Sequence, residues 1–243
     1  MNQVIFKING QDIALFTALS EEQTKLQIEE IFGTEHYKKG KIKKDMVIID
    51  CGANIGLASL YFKDWAKVIY ALEPNEEYYK CLVENIKPYS HIKPYNIGLA
   101  SRDGKDLLFS NEKGDAPESF FGNGNTKQLA LFKTLETFMK EENIEHIDLL
   151  KMDTEGAEFV IFPSEGFINM ADKINYIVGE SHYFGIRNML VVPEFIPLIL
   201  KESGFTTEFI PITNQYQKFS FESKEYNIER QTLFFARRKD VKD

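Results

Sequence analysis

Three groups of residues in this chain have the types and spacing to do chemistry. The first is the turn Asp50-Cys51-Gly52-Ala53-Asn54-Ile55-Gly56, followed at a distance by Glu73-Pro74. Glycine tolerates positive φ and lets a ligand approach the backbone closely. An acid about twenty residues past such a turn is placed to hold the two hydroxyls of a ribose. The second group is Lys151-Met152-Asp153-Thr154-Glu155, and the third is Glu180-Ser181-His182. Carboxylates and a near-neutral imidazole are the side chains that take a proton from an attacking hydroxyl.

The flanking residues say how these groups are held. Met46 to Ile49 and Val68 to Leu72 are short apolar runs, as expected of strands buried on both faces of a parallel sheet. Between them Leu57 to Trp65 carries apolar residues at helical spacing, so the glycine turn opens a helix. His146 to Met152 and Asn175 to Gly179 read as the fourth and fifth strands. Asp153 and the segment Glu180 to His182 therefore fall at strand ends, where open α/β sheets bind ligands.

The details of the turn select the ligand. A dinucleotide site wants G-x-G-x-x-G against a pyrophosphate. Here Asp50 opens the turn and Asn54 replaces the middle glycine. An acid and an amide suit a zwitterionic amino-acid tail, and S-adenosylmethionine carries such a tail on an adenosine. A nicotinamide or flavin site fits the spacing less well, and a glycine turn without ligand is the remaining alternative.

Bulk properties set limits. The chain has 243 residues, 43% hydrophobic and 27% charged, with a net charge of −8. That is ordinary soluble composition, long enough to bury a core without staples. The acidic balance, with one basic run at residues 38 to 44, argues against nucleic acid as partner. Cys51 and Cys81 have no metal-like spacing and imply no disulfide framework, which fits a cytoplasmic protein. Neither a signal peptide nor a membrane-spanning run is expected. Oligomeric state is not legible.

Elsewhere, Asn9-Gly10 between alternating runs predicts a hairpin over residues 3 to 19. Ser20 with Gln23 predicts a capping-box helix to about Phe32. Residues 1 to 44 thus form an N-terminal hairpin and helix cap on a domain spanning 45 to 243. A helix is expected over 75 to 87, and a third strand over 92 to 98, with Pro94 requiring a sheet edge. Leu99 to Phe109 reads as a hairpin about Asp103-Gly104. Residues 110 to 130 read as a lid over the substrate site or as a disordered loop. Helices over 134 to 142, 155 to 162 and 194 to 202, and strands over 206 to 212 and 231 to 236, complete the chain, with 213 to 230 a polar loop. Strands alternating with helices mean an α/β sheet with crossover helices.

With DCGANIG, EPN, IDLLKMDTEGAE and E-x-H in this order, residues 35 to 185 resemble the FkbM family of S-adenosylmethionine-dependent methyltransferases. The resemblance implies the class I methyltransferase (Rossmann-like) fold: seven strands, six parallel, the last inserted antiparallel between the fifth and sixth, with helices on both faces. It also implies O-methylation, often of a sugar hydroxyl in a glycolipid, polysaccharide or glycosylated product. A lipid, small-metabolite or protein acceptor, or a cofactor-binding protein without turnover, are the alternatives. DTEG in place of N/D-P-P-Y/F after the fourth strand disfavours nucleic-acid amino methylation.

On this reading Asp50, Gly52, Ala53, Asn54 and Gly56 line the methionyl end of the cofactor. Glu73 accepts from the ribose hydroxyls, with helix capping as its other reading. Pro74 adjoins it, and Ile97 marks the region of adenine contact. His182 is the expected base, or else a loop histidine satisfied by backbone. Asp153 faces the pocket or caps the following helix. Lys151 pairs with Asp153 or Glu180, or binds the acceptor. Asp153, Glu180 and His182 also suit Mg²⁺, though no spacing demands it. Glu155 and Glu158 are assigned to their helix.

Overall fold

The computed structural model describes residues 1–38, 42–110, 126–182, 195–211, 216–221, 224–229 and 231–241. β1 (Asn2–Ile8) and β2 (Gln11–Thr17) pair antiparallel across Asn9-Gly10, whose φ values are 50° and 78°. Two positive φ angles in a two-residue loop match the strand twist, which is why Asn-Gly stands there. α1 (Glu21–Ile28) starts at a complete Ser20/Gln23 capping box and widens into a π-turn over Glu29–Gly33. The expected end near Phe32 is therefore kept, but with π rather than α hydrogen bonds.

The central unit follows. β3 (Met46–Cys51), α2 (Leu57–Phe62), β4 (Ala66–Leu72), α3 (Glu76–Ile86) and β5 (Ile92–Tyr95) form two successive βαβ units with parallel strands. Next come β6 (Gly98–Leu99), β7 (Gly104–Ser110), β8 (Thr126–Lys133), α4 (Leu135–Glu141), β9 (Ile147–Met152), α5 (Glu158–Ile161), α6 (Glu165–Ile168) and β10 (Ile174–His182). The chain closes with α7 (Phe195–Glu202), β11 (Phe205–Pro211), β12 (Tyr216–Phe221), β13 (Lys224–Glu229) and β14 (Gln231–Arg238).

The main sheet has seven strands in the order β11-β14-β10-β9-β3-β4-β5. β10, β9, β3, β4 and β5 are mutually parallel, and β14 lies antiparallel between β10 and β11. β5 is an edge strand, so Pro94 withholds no ladder hydrogen bond from a further neighbour. Strand alternation divides the core. Ile49, Leu72 and Leu150 face α4 to α7, whereas Ile48, Ala71, Leu149 and Val178 face α2, α3 and the N-terminal hairpin. Phe6, Ile8, Leu15 and Ile28 are buried in that second cluster, so the cap is packed on the sheet layer.

Several local expectations change. Leu99 to Phe109 is not a hairpin: β8 lies between β6 and β7, parallel to β6 and antiparallel to β7. Residues 126 to 130, read as loop, belong to β8, and the expected lid over 111–125 lies outside the described residues. Within the polar stretch 213 to 230, β12 and β13 form a hairpin. β10 runs on to His182, so Glu180 to His182 are strand residues and not a loop past its end. α2 and α5 are shorter than their apolar patterns suggested.

Candidate active site

The β3 turn is built from close backbone contacts. Gly52 has φ +75°, and both it and Ala53 donate their amides to the Leu72 carbonyl at 3.0 and 2.9 Å. A Cβ on Gly52 would lie 1.8 Å from the Asp153 carbonyl oxygen, so no other residue fits. Asn54 also takes positive φ, 52°, and its Oδ1 accepts from the Ile55 amide. At the end of β4, Glu73 is buried, its carboxylate accepting from the Asn54 amide at 2.7 Å and the Asn75 amide at 2.8 Å. Asn75 in turn caps α3 by accepting from the Glu77 and Tyr78 amides.

These groups open on a cavity of about 310 Å³ at the carboxyl ends of the parallel strands. That volume is the size of an ordinary small-molecule site. Gly52, Ala53, Asn54, Glu73 and Pro74 line it on one side. Gly98 adjoins them, and a Cβ there would collide with the Phe132 ring, which packs against it beside Pro74. Lys151, Asp153 and Glu180 line it on the other side, as strand order requires. Four expected residues do not line it. Asp50 is fully buried beneath the turn, Gly56 caps α2 with φ +94°, Ile97 packs in the core, and His182 lies behind the carboxylates.

Sheet register explains the charged side. Asp50 on β3 and Lys151 on β9 are directly paired, placing Nζ 3.3 Å from Asp50 Oδ1. Nζ also donates to the Gly52 carbonyl at 2.8 Å and lies 3.6 Å from Asp153 Oδ2. Lys151 thus pairs with Asp50 and Asp153, and the partner missed from the sequence was Asp50. Burial would lower its pKa, but Asp50 and Asp153 raise it above the usual lysine value. The same contacts decide Asp153: burial acts to raise it, and Lys151, then His182 and Tyr37, hold it below the usual carboxylate range. Asp50 also accepts from the Ser59 hydroxyl at 2.7 Å.

His182 is 2% exposed and surrounded by carboxylates. Its Nε2 lies 3.7 Å from Asp153, 3.5 Å from Glu155 and 3.5 Å from Glu180, and its Nδ1 lies 3.7 Å from Glu158. Burial acts to lower its pKa, but Glu155, Glu158 and Glu180 raise it well above 6.5. The surrounding carboxylates favour the protonated form of His182, and an imidazolium holds no lone pair with which to take a proton. The expected base thus lies among the acids and behind the cavity wall. Burial and neighbouring carboxylates push Glu155 up to about 8. Glu158 does serve its turn, accepting from the Thr154 and Gly156 amides.

This arrangement has a pH signature. A group whose folded pKa is raised contributes stability that is complete below its unfolded value and lost as pH climbs through the folded one. His182 starts that loss above 6.5, and Glu155, raised from 4.5 to about 8, adds to it. Asp153, lowered from 3.8, acts oppositely but only in acid. The denaturant midpoint should therefore fall between about pH 6 and about pH 9, and His182→Gln should flatten the slope. A wild-type midpoint constant over that range would contradict the buried imidazolium.

Sequence reasoning missed the contribution of the N-terminal cap. Gln23, Leu26, Gln27 and Glu30, on one face of α1 and the π-turn, line the cavity together with Tyr37. The signal was weak, because Gln23, Gln27 and Glu30 on that face read as solvent-facing residues and the helix shows no apolar stripe. Glu155 was also missed as a lining residue.

Comparison with known proteins agrees with the geometry. The methyltransferase FkbM domain matches residues 50–207. Methyltransferase sdnD of Sordaria araneosa is 27% identical over 235 residues, covering 78% of this chain and 85% of that protein. Methyltransferase 1 of Beauveria bassiana (strain ARSEF 2860) is 27% identical over 172 residues, covering 59% and 69%. In fold, the fibrillarin pre-rRNA processing protein of Methanococcus jannaschii superposes with a TM-score of 0.51 at 15% identity, covering 99% of this chain and 84% of that one. The sheet order, six parallel strands with the last strand antiparallel between the fifth and sixth, is the one the family resemblance implies.

Proposed function

This chain belongs to the FkbM family of S-adenosylmethionine-dependent methyltransferases, and from that premise we propose that it methylates a hydroxyl oxygen, on a sugar or glycoconjugate. The observation that carries the reading is the position of Asp153 and Glu180 on one side of the Gly52 turn, with Glu73 and Gly98 on the other. One side suits an adenosine, and the other suits a group that must lose a proton.

The residues fit the cofactor. Glu73 lines the cavity with its carboxylate fixed by two backbone amides, and a carboxylate is the acceptor that ribose hydroxyls require. Gly52 and Gly98 line the cavity and let β9 and Phe132 pack closely behind its wall. S-adenosylmethionine supplies a methyl group on a sulfonium; the S–C bond breaks as the acceptor O–C bond forms, leaving a thioether. The remaining demands are orientation and removal of the hydroxyl proton. Asp153 or Glu180 takes that proton, Lys151 and His182 hold the two carboxylates, and Asp50 anchors Lys151. Cys51 and Cys81, both buried and unbridged, support a reducing, cytoplasmic setting. Among the described residues no helix is long and apolar enough to cross a membrane.

The reading is tested by radiolabelled methyl transfer to a panel of monosaccharides, nucleotide sugars and alkyl glycosides. Alkali-stable label in a glycan ether supports it; label only in amines, carboxyl esters or protein would overturn the assignment to a sugar hydroxyl. One observation favours a second version of the same pocket: ligand atoms of Asp153, Glu155 and His182 lie within 4.8 Å of one another, close enough to hold a divalent cation. There the cation replaces the proton on His182. Transfer that persists in chelator supports the imidazolium version, and transfer lost and restored by added divalent metal supports the cation.

A further inference from the structure

We infer that Tyr37, contributed by the N-terminal cap and lying outside the matched family domain, is a positioning residue that fixes the acceptor-facing carboxylates Asp153 and Glu180. The inference rests on the reading of those two carboxylates as the acceptor side of the pocket. Tyr37 is 3% exposed, and its hydroxyl lies 2.9 Å from Asp153 Oδ2 and 3.2 Å from Glu180 Oε1. His182 Nε2 faces the other oxygen of each, Asp153 Oδ1 at 3.7 Å and Glu180 Oε2 at 3.5 Å. Each carboxylate is thus held at one oxygen by the phenol and at the other by the imidazole. That clamp fixes the rotation of both groups, and with it the direction in which their remaining lone pairs point.

The chain makes Tyr37 a dependable donor. Burial, then the neighbouring Asp153 and Glu180 charges, raise its pKa well above 10, so the proton stays on oxygen. Lys151 Nζ lies 5.4 Å from the centre of its ring, which holds the ring plane against the same lysine that pairs with Asp153. A turn presents the residue: Glu35 takes φ +52°, the Lys38 amide donates to the Glu35 carbonyl, and Tyr61 donates to the Glu35 carboxylate at 3.4 Å. The phenol carries one proton for two acceptors, so it holds the pair together against their mutual repulsion without neutralising either. The family domain supplies the carboxylates, and the cap supplies the group that aims them.

Tyr37→Phe keeps the ring and removes the hydroxyl. Calorimetry should show S-adenosylmethionine affinity within about twofold of wild type, while kcat for radiolabelled methyl transfer falls about tenfold to a hundredfold with acceptor KM nearly unchanged. Unchanged kcat would overturn the inference, and so would a joint fall of cofactor affinity and rate, which would assign Tyr37 to the fold. A crystal structure of the wild type with S-adenosylhomocysteine tests the clamp without any acceptor. The Tyr37 hydroxyl within hydrogen-bond reach of both carboxylates supports the inference, and a phenol turned away from both overturns it. If wild type itself binds no S-adenosylmethionine, the methyltransferase reading fails instead.

Discussion

Gly52→Ala is expected to abolish S-adenosylmethionine binding and to lower stability by about 3 kcal/mol or more, among the larger effects of a single substitution. Part of the cost is conformational. Residue 52 has φ +75°, where a Cβ costs about 1–2 kcal/mol. The larger part is steric, since the added carbon would sit 1.8 Å from the Asp153 carbonyl oxygen and 2.9 Å from its carbon. Both are backbone atoms and cannot swing aside as a side chain can. Relief requires β3 and β9 to part at their carboxyl ends, where the Asp153 amide donates to the Cys51 carbonyl at 3.2 Å. That movement also disturbs Lys151, which donates to the Gly52 carbonyl. Unfolding in denaturant and calorimetry with the cofactor read the two consequences separately. An alanine variant with wild-type stability and affinity would mean that the strands do not approach this closely.

Glu73→Ala is expected to fold and to lose most of its affinity for the cofactor. A hydrogen bond to a charged group is worth about 1.5–3 kcal/mol. Losing the two proposed to the ribose hydroxyls corresponds to roughly a hundredfold weaker binding or more. The Asn54 amide that Glu73 now holds belongs to a residue lining the open cavity, where water can replace the carboxylate. The damage should therefore appear in affinity more than in stability. S-adenosylhomocysteine, which shares the ribose, should weaken by the same factor. A loss confined to S-adenosylmethionine would place Glu73 near the sulfonium instead.

What could be read from the sequence was local. The apolar runs at Met46 and Val68 announced β3 and β4, Asn9-Gly10 announced the hairpin, and Ser20 with Gln23 announced the start of α1. Each signal lies within a few residues of the feature it specifies. The β6-β8-β7 sheet was illegible because Gly98 pairs with Phe132, far along the chain, while the turn at Asp103-Gly104 offered a nearer partner. The pairing of Asp50 with Lys151 depends on the register between β3 and β9, which neither strand carries alone. His182 was misjudged for a related reason. Its isolated type suggests a base, but four carboxylates from two separate segments, 153–158 and residue 180, surround it and favour its protonated form. Tyr37 left no signal, being one aromatic residue in a turn with its partners more than a hundred residues away.

The claim that the Gly52 turn and Glu73 form an S-adenosylmethionine site is tested most directly by isothermal calorimetry of the purified chain with that compound at neutral pH. The account predicts saturable one-site binding, competed by S-adenosylhomocysteine and weakened roughly a hundredfold by Glu73→Ala. Absence of binding by both compounds, or affinity unchanged in Glu73→Ala, would contradict it.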